Sequence, residues 1–176
     1  MRVFLLVLAA GVLAATGPAR ADEEDIPLDK LPKAVADGFK KRFPEAKPTG
    51  ASKETTEDKK VVYEVTFQEN GKNRDITFTD AGVLTTIEKQ IDPKDLPKAV
   101  KDALEAKYPK ATYKIAEEVI AVKDGKETLD YYEALLEAAD KKGVEVEIAA
   151  DGTIKKTEDK TEELKKEREK EKKDKR

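Results

Sequence analysis

Cysteine, histidine and tryptophan are absent from this chain of 176 residues. The lack of cysteine excludes disulfides, thiolate nucleophiles and cysteine ligands for zinc. The lack of histidine removes the side chain that most readily exchanges protons near neutral pH, and with it every Ser-His or Cys-His catalytic pair. An enzyme built on this chain would depend on Asp, Glu, Lys or Tyr. The sequence therefore favours a binding protein that is not an enzyme and carries no cofactor.

The first 21 residues have the pattern of an export signal. Arg2 gives a positive start, residues 3–16 are almost entirely apolar, and Ala19-Arg20-Ala21 fits a small-x-small cleavage site. The apolar run is shorter than the ~20 residues that span a bilayer. We predict a signal peptide over residues 1–21, cleaved after Ala21, and an exported protein, periplasmic or secreted, with no membrane span after cleavage. The alternative is an N-terminal membrane anchor.

The chain that follows contains an internal duplication. Leu31-Pro32-Lys33-Ala34-Val35 recurs 65 positions later as Leu96-Pro97-Lys98-Ala99-Val100. Each copy opens with apolar residues four apart and a closing proline, as in a helix, and continues with the alternation typical of strands. We predict an α+β fold of two tandem units, residues 26–91 and 92–157. Each unit has a helix followed by an antiparallel meander of three to four strands.

One segment of the second copy fits two secondary structures. Leu129, Tyr132 and Leu136 have helical spacing. The duplication, however, aligns residues 132–136 with residues 63–67, where polar and apolar residues alternate as in a strand. Because tertiary context often overrides local propensity, we follow the duplication and predict a strand.

Residues 158–176 form a charged tail in which Leu164 is the one apolar residue. From Lys155 to Arg176 there are 11 basic and 8 acidic residues. Such a segment buries little apolar surface, so we expect a solvated tail that is helical or disordered. Phosphate binding favours clustered Lys and Arg with little acid, so no nucleic-acid partner is predicted.

One strand and one turn of the first copy resemble those of a known family. The strand Tyr63-Glu64-Val65-Thr66-Phe67 and the later turn Asp80-Ala81-Gly82 are similar to those of the PepSY-like family of exported bacterial domains, which has a β-lactamase-inhibitor-like fold. The resemblance covers both copies, with a looser match at Tyr132-Glu133-Ala134 and Ala150-Asp151-Gly152. It implies tandem units whose strands can join in one continuous sheet of up to about eight strands. It also implies a binding or inhibitory role, and it carries over no catalytic residues.

The strand alternation predicts a sheet face turned away from the helices. If Val65 and Phe67 pack on the helix, their sequence neighbours point the other way. Tyr131 and Leu135 lie among carboxylates on this face, where aromatic and aliphatic groups could anchor a partner and acidic groups could steer a cationic one. The candidate binding residues are Val62, Glu64, Thr66, Asp75, Thr77, Tyr131, Glu133, Leu135, Glu145 and Glu147.

Two functional hypotheses follow. The first is an exported, non-enzymatic binding module of the bacterial envelope that inhibits or senses a protein partner through this face. The alternative is a structural or cation-buffering envelope protein without a specific protein partner, whose acidic body binds divalent cations weakly. No Asp-x-Asp-x-Asp-Gly calcium loop occurs, so we predict no metal site. Paired carboxylates such as Glu64 and Glu133 also occur in glycosidases, but the duplication explains this pair without catalysis.

Overall fold

A computed structural model gives the structure of residues 23–56 and 59–174. The predicted signal peptide and its cleavage site lie outside the described residues. The strands are β1 (Glu23–Ile26), β2 (Pro48–Thr55), β3 (Val61–Glu69), β4 (Lys72–Thr79), β5 (Leu84–Gln90), β6 (Thr112–Lys123), β7 (Lys126–Glu137), β8 (Gly143–Ile148) and β9 (Ile154–Asp159). The helices are α1 (Lys33–Arg42), α2 (Lys98–Lys107) and α3 (Thr161–Asp174), and short 3-10 turns, Leu28–Lys30 and Pro93–Asp95, precede α1 and α2.

The strands form one antiparallel sheet in which they are hydrogen-bonded in sequence order, from β1 to β9. The α+β class is therefore confirmed, and so is the strand assignment of residues 132–136, which lie in β7. The sheet has nine strands, whereas up to eight were expected. The additional strand is β1, whose four residues are mostly acidic and carry no apolar alternation, so the sequence does not predict it. Among the described residues, no helix is long and apolar enough to cross a membrane.

Contacts divide the described chain into two compact units. The first unit contains residues 23–90 and 119–130, and the second contains residues 91–118 and 131–174. The prediction of two units, each with a helix followed by its own strands, is not confirmed. Strand β1 precedes α1, and the long β6–β7 hairpin contributes to both units. The repeat boundaries at 26–91 and 92–157 stay a prediction.

Each unit packs one helix against one face of its strands. In the first unit, Val35 and Phe39 of α1 lie in a core with side chains of β3, β4, β5 and β6: Val65, Phe67, Ile76, Phe78, Ile87 and Ile120. In the second, Val100 and Leu104 of α2 lie in a core with Leu96, Ala116, Tyr132, Ala134, Leu136, Val146 and Ile148. The four-residue spacing within each helix thus forms the buried stripe that the sequence predicts.

A glycine turn fixes the distance between helix and strands in the first unit. Gly82 follows β4 with φ of 78°, and a Cβ at this position would lie 2.2 Å from the carbonyl oxygen of Ala34 in α1. Only glycine allows both this backbone conformation and this close approach. Gly152 has the same role in the second unit, where a Cβ would lie 2.7 Å from the carbonyl oxygen of Ala99 in α2.

Candidate functional site

The five candidate residues of the first unit lie together on the side of β3 and β4 that faces away from α1. Glu64 is opposite Thr77, and Thr66 is opposite Asp75 in the antiparallel register. Their neighbours Val65 and Ile76 are buried in the core, so the alternation gives the sidedness that the sequence predicts. Val62, Glu64, Asp75 and Thr77 are half-buried.

Thr66 differs from this expectation because it is buried, with 2% of its surface exposed. Its hydroxyl donates a hydrogen bond to Oδ1 of Asp75 across the strands. This bond satisfies the polar group inside the sheet, as burial requires. Thr66 therefore supports the face from within, and the accessible part of the patch is formed by Val62, Glu64, Asp75 and Thr77.

The five candidates of the second unit also share one face, but two of them are buried. Glu133 is opposite Glu147, and Leu135 is opposite Glu145. Leu135 and Glu145 each expose only 3% of their surface. The prediction that Leu135 offers an exposed apolar anchor is therefore wrong. Tyr131 stays half-buried, with the Lys155 ammonium 4.9 Å from the centre of its ring.

Helix α3 explains this burial because it packs against β8. Leu164, the one apolar residue of the predicted tail, is 2% exposed. Gly143, the first residue of β8, allows the close approach: a Cβ there would lie 2.5 Å from the carbonyl oxygen of Lys160 and 2.8 Å from Cδ1 of Leu164. The tail is thus helical over residues 161–174, and its first turns are part of the folded unit.

Backbone hydrogen bonds fix the start of α3 to β8. The amide of Lys160 donates to the carbonyl of Gly143 at 2.9 Å. In return, the amide of Gly143 donates to the Thr161 hydroxyl at 3.2 Å. Asp159 accepts a hydrogen bond from the Thr161 amide at 2.8 Å. Hydrogen bonding from the Thr161 side chain, and then from the Thr161 amide, lowers the pKa of the Asp159 carboxyl. Asp159 thus closes a side-chain turn onto Thr161 immediately before the helix, which fixes the backbone at the helix start.

The buried ammonium group of Lys160 lies under the first turn of α3. Lys160 is 4% exposed, and its ammonium lies 3.3 Å from Oε2 of Glu145 and 3.4 Å from Oε2 of Glu158. Glu145 and Glu158 are opposite each other on β8 and β9, so their like charges would repel without a cation. Lys160 offsets this repulsion, and its burial is tolerated because the charge is paired.

A second ion-pair group holds the next turn of α3. Glu137, at the end of β7, accepts hydrogen bonds from Lys141 at 2.8 Å and from Arg168 of α3 at 3.1 Å, and Lys114 lies 3.5 Å away. The hydrogen bond from Lys141 is the main cause of a lowered pKa at Glu137, and the charge of Lys114 adds to it. Arg168 also donates to the carbonyl of Leu164 at 3.1 Å.

The spacing of residues in the tail indicates a helix that packs on the rest of the unit, although the amino-acid composition of the tail does not. Lys160, Leu164 and Arg168 lie four residues apart and therefore on one helix face. Lys160 and Arg168 pair with Glu145 and Glu137 of the sheet, and Leu164 lies beside Gly143 of β8. This four-residue spacing is the sequence signal for the packing of α3.

The described residues offer no ready centre for metal chemistry. In residues 23–56 and 59–174, no group of three or more Asp and Glu side chains is placed to hold a metal ion. The acidic residues of the second unit instead lie against lysines, as at Glu147 and Lys156, where the charged atoms are 3.8 Å apart.

Comparisons with known proteins agree with this architecture. A family model described as "Putative beta-lactamase-inhibitor-like, PepSY-like" matches residues 19–86 and 61–156. A comparison with curated proteins gave no match.

Solved structures show the same fold. A BLIP-like protein from Bacteroides fragilis is similar with a TM-score of 0.51 and 20% identity, over 73% of this chain and 86% of that one. A DUF2874 family protein from Bacteroides uniformis has a TM-score of 0.55 and 18% identity, over 74% and 90% of the two chains. A protein from Bacteroides eggerthii described as "putative periplasmic" has a TM-score of 0.57 and 15% identity, over 75% and 91%. At these identities, the likeness concerns the fold alone.

Proposed function

Because this chain belongs to the PepSY-like family, we propose that it is an exported, non-enzymatic binding module of the bacterial envelope. In this proposal, the outward face of β3 and β4 in the first unit contacts a protein partner, which the module inhibits or senses. The predicted signal peptide and the periplasmic description of the Bacteroides eggerthii protein support export.

A difference between the two units carries the proposal. In the second unit, α3 buries the face at Leu135 and Glu145. In the first unit, Val62, Glu64 and Thr77 stay half-exposed. A partly apolar, partly acidic strip of this kind can bury Val62 at the centre of an interface and use its carboxylates for steering. The partner expected from this charge is a protein with a basic surface.

The test is affinity capture from the native envelope with the mature chain as bait. The double variant Val62→Arg and Glu64→Lys replaces the apolar centre and reverses the neighbouring charge, so we expect at least a tenfold loss of the specifically captured protein. Glu105→Lys makes the same charge change as Glu64→Lys, but on an exposed position of α2, and is the control for charge reversal.

Circular dichroism spectra of both variants should equal that of the parent chain. Capture should also weaken as salt rises, since exposed charges are screened. A captured set that is the same for the parent, the double variant and Glu105→Lys would exclude this face as the contact surface.

A further inference from the structure

The duplication places one hollow beside the end of each of the first two helices, and the two hollows differ in size. The first hollow, of about 570 Å³, is lined by residues that include Phe43, Ala46, Thr49 and Phe67. The second hollow, of about 220 Å³, is lined by residues that include Tyr108, Ala111, Tyr113 and Leu136. Three of these pairs correspond through the repeat: Phe43 with Tyr108, Ala46 with Ala111, and Phe67 with Leu136.

In the second unit, the chain supplies an aromatic ring to its own hollow. Tyr113, the second residue of β6, is half-buried and packs against the second core. Burial raises the pKa of its hydroxyl, and the charge of Glu105 raises it further, which agrees with a ring held inside the fold. This ring is part of the wall of the second hollow, which has a volume of about 220 Å³.

In the first unit, the corresponding position holds a proline. Pro48, 65 positions before Tyr113, is the first residue of β2 and lies opposite Phe67 in the register of β2 and β3. Because directly opposed residues project to the same face, a longer side chain at Pro48 would extend beside Phe67. The short, exposed Pro48 does not reach that space.

The walls of the first hollow suit a ring. The rings of Phe43 and Phe67 are 5.3 Å apart at their centres and tilted by 46°, an arrangement that can take a third ring edge-to-face or offset. The Arg42 guanidinium lies 5.1 Å from the centre of the Phe43 ring. Lys47 and Gln68 line the hollow and provide hydrogen-bond donors for an oxygen substituent. The first hollow is open to solvent on its outer side, so a ring can enter without a change in the fold.

We propose that the first hollow is a binding site for a phenol-type aromatic ring, which occupies beside Phe43 and Phe67 the place that Tyr113 fills in the second unit. The site is independent of the proposed protein contact, since it lies on the helix side of the sheet and Glu64 faces the other way. The ring can belong to a free aromatic compound or to a tyrosine side chain of another protein.

The test is a two-dimensional amide NMR titration of the mature chain with p-cresol, the side chain of tyrosine. We expect saturable shifts, confined to residues 43–49 and 67–70, with a dissociation constant in the millimolar range. Pro48→Tyr supplies the ring from within the chain and should weaken binding at least tenfold. Pro48→Ala removes the same proline without adding a ring and should bind as the parent does.

The reciprocal variant Tyr113→Ala should create a second set of saturable shifts around residues 104–113. If Tyr113→Ala does not fold, the Pro48 pair alone decides. Shifts without saturation, or full binding by Pro48→Tyr, would overturn the proposal. N-acetyl-tyrosinamide separates the two sources of the ring: binding at least as tight as that of p-cresol indicates a tyrosine side chain, and binding of p-cresol alone indicates a free aromatic compound.

Discussion

The guanidinium of Arg168 donates a hydrogen bond to the carboxylate of Glu137 at 3.1 Å, across 31 positions of sequence. This contact joins the charged C-terminal segment to the end of β7. It is made beside Leu164, whose side chain is buried under the same helix. The segment therefore belongs to the second unit, and its removal or loosening should be measurable as a loss of stability.

Replacement of Leu164 by alanine tests how firmly α3 is held. Because the side chain is 2% exposed, we expect Leu164→Ala to lower the free energy of unfolding by about 2–4 kcal/mol. Urea unfolding followed by circular dichroism gives the value. Leu129→Ala is the control, since Leu129 is 40% exposed and its truncation should cost less than about 0.5 kcal/mol. If Leu164→Ala lowers the free energy of unfolding as little as Leu129→Ala does, α3 contributes no packing energy.

Acidification should weaken the second ion-pair group. The pKa of Glu137 is lowered in the folded chain, so its contribution to stability is full above the pKa of glutamate in the unfolded chain. The contribution is lost as the pH falls through the lower, folded pKa. We expect Glu137→Gln to be less stable than the parent by about 1–3 kcal/mol at pH 7, with a gap that closes towards pH 3.

Unfolding free energies measured from pH 7 to pH 3 check this expectation. Glu105→Gln, on an exposed position of α2, should show little difference from the parent throughout. A gap for Glu137→Gln that stays constant with pH would show that the charge of Glu137 is not what stabilises this region.

Two glycines have the same backbone conformation but different surroundings, so their alanine variants distinguish the cost of backbone strain from the cost of close packing. Gly82 and Gly71 both have φ of 78°, but a Cβ at Gly82 would lie 2.2 Å from the Ala34 carbonyl oxygen, whereas one at Gly71 meets nothing within 4 Å. Both alanine variants carry the cost of positive φ, about 1 kcal/mol. Gly82→Ala should lose a further 1–3 kcal/mol or so through overpacking. Similar melting temperatures for the two variants would contradict the close contact between α1 and the turn.

The burial of Leu135 leads to a prediction opposite to that for a surface residue. Leu135→Glu places a charge at a position that is 3% exposed and next to Glu145. We expect a loss of at least about 3 kcal/mol, visible as a lower urea midpoint. Tyr131→Glu, at a half-buried position of the same strand, should lose clearly less. A soluble, fully stable Leu135→Glu variant would show that α3 does not cover this position.

Much of the fold could be predicted because the relevant patterns are local. The period-2 alternation around Val65 and Ile76 determines which face is buried, and the duplication identifies β7 as a strand although Leu129, Tyr132 and Leu136 have helical spacing. Strand β1 could not be predicted in this way, since it is short, acidic and held by backbone hydrogen bonds to β2. Backbone pairing at an edge leaves little trace in the side chains.

The candidate site was predicted less well because burial there depends on distant residues. The alternation correctly placed Leu135 and Glu145 on the face away from α2, but their exposure depends on α3, which lies some 20 positions further along. The low apolar content of the C-terminal segment predicts a solvated tail. One buried leucine, with an ion pair on either side of it, nevertheless fixes the first two turns of α3 against the sheet. Composition averages over a segment, whereas docking depends on which residues share a helix face.

A single residue, Lys160, joins β9 to α3, and this short connection has a consequence for how the C-terminal segment moves. With no loop to act as a hinge, α3 cannot swing away unless Lys160 leaves its carboxylates and the end of β9 unpairs. Helix and edge strand should therefore open together as one cooperative unit, with amide protons of both exchanging at a common rate. Hydrogen exchange of the α3 amides should therefore report how often β9 unpairs from β8.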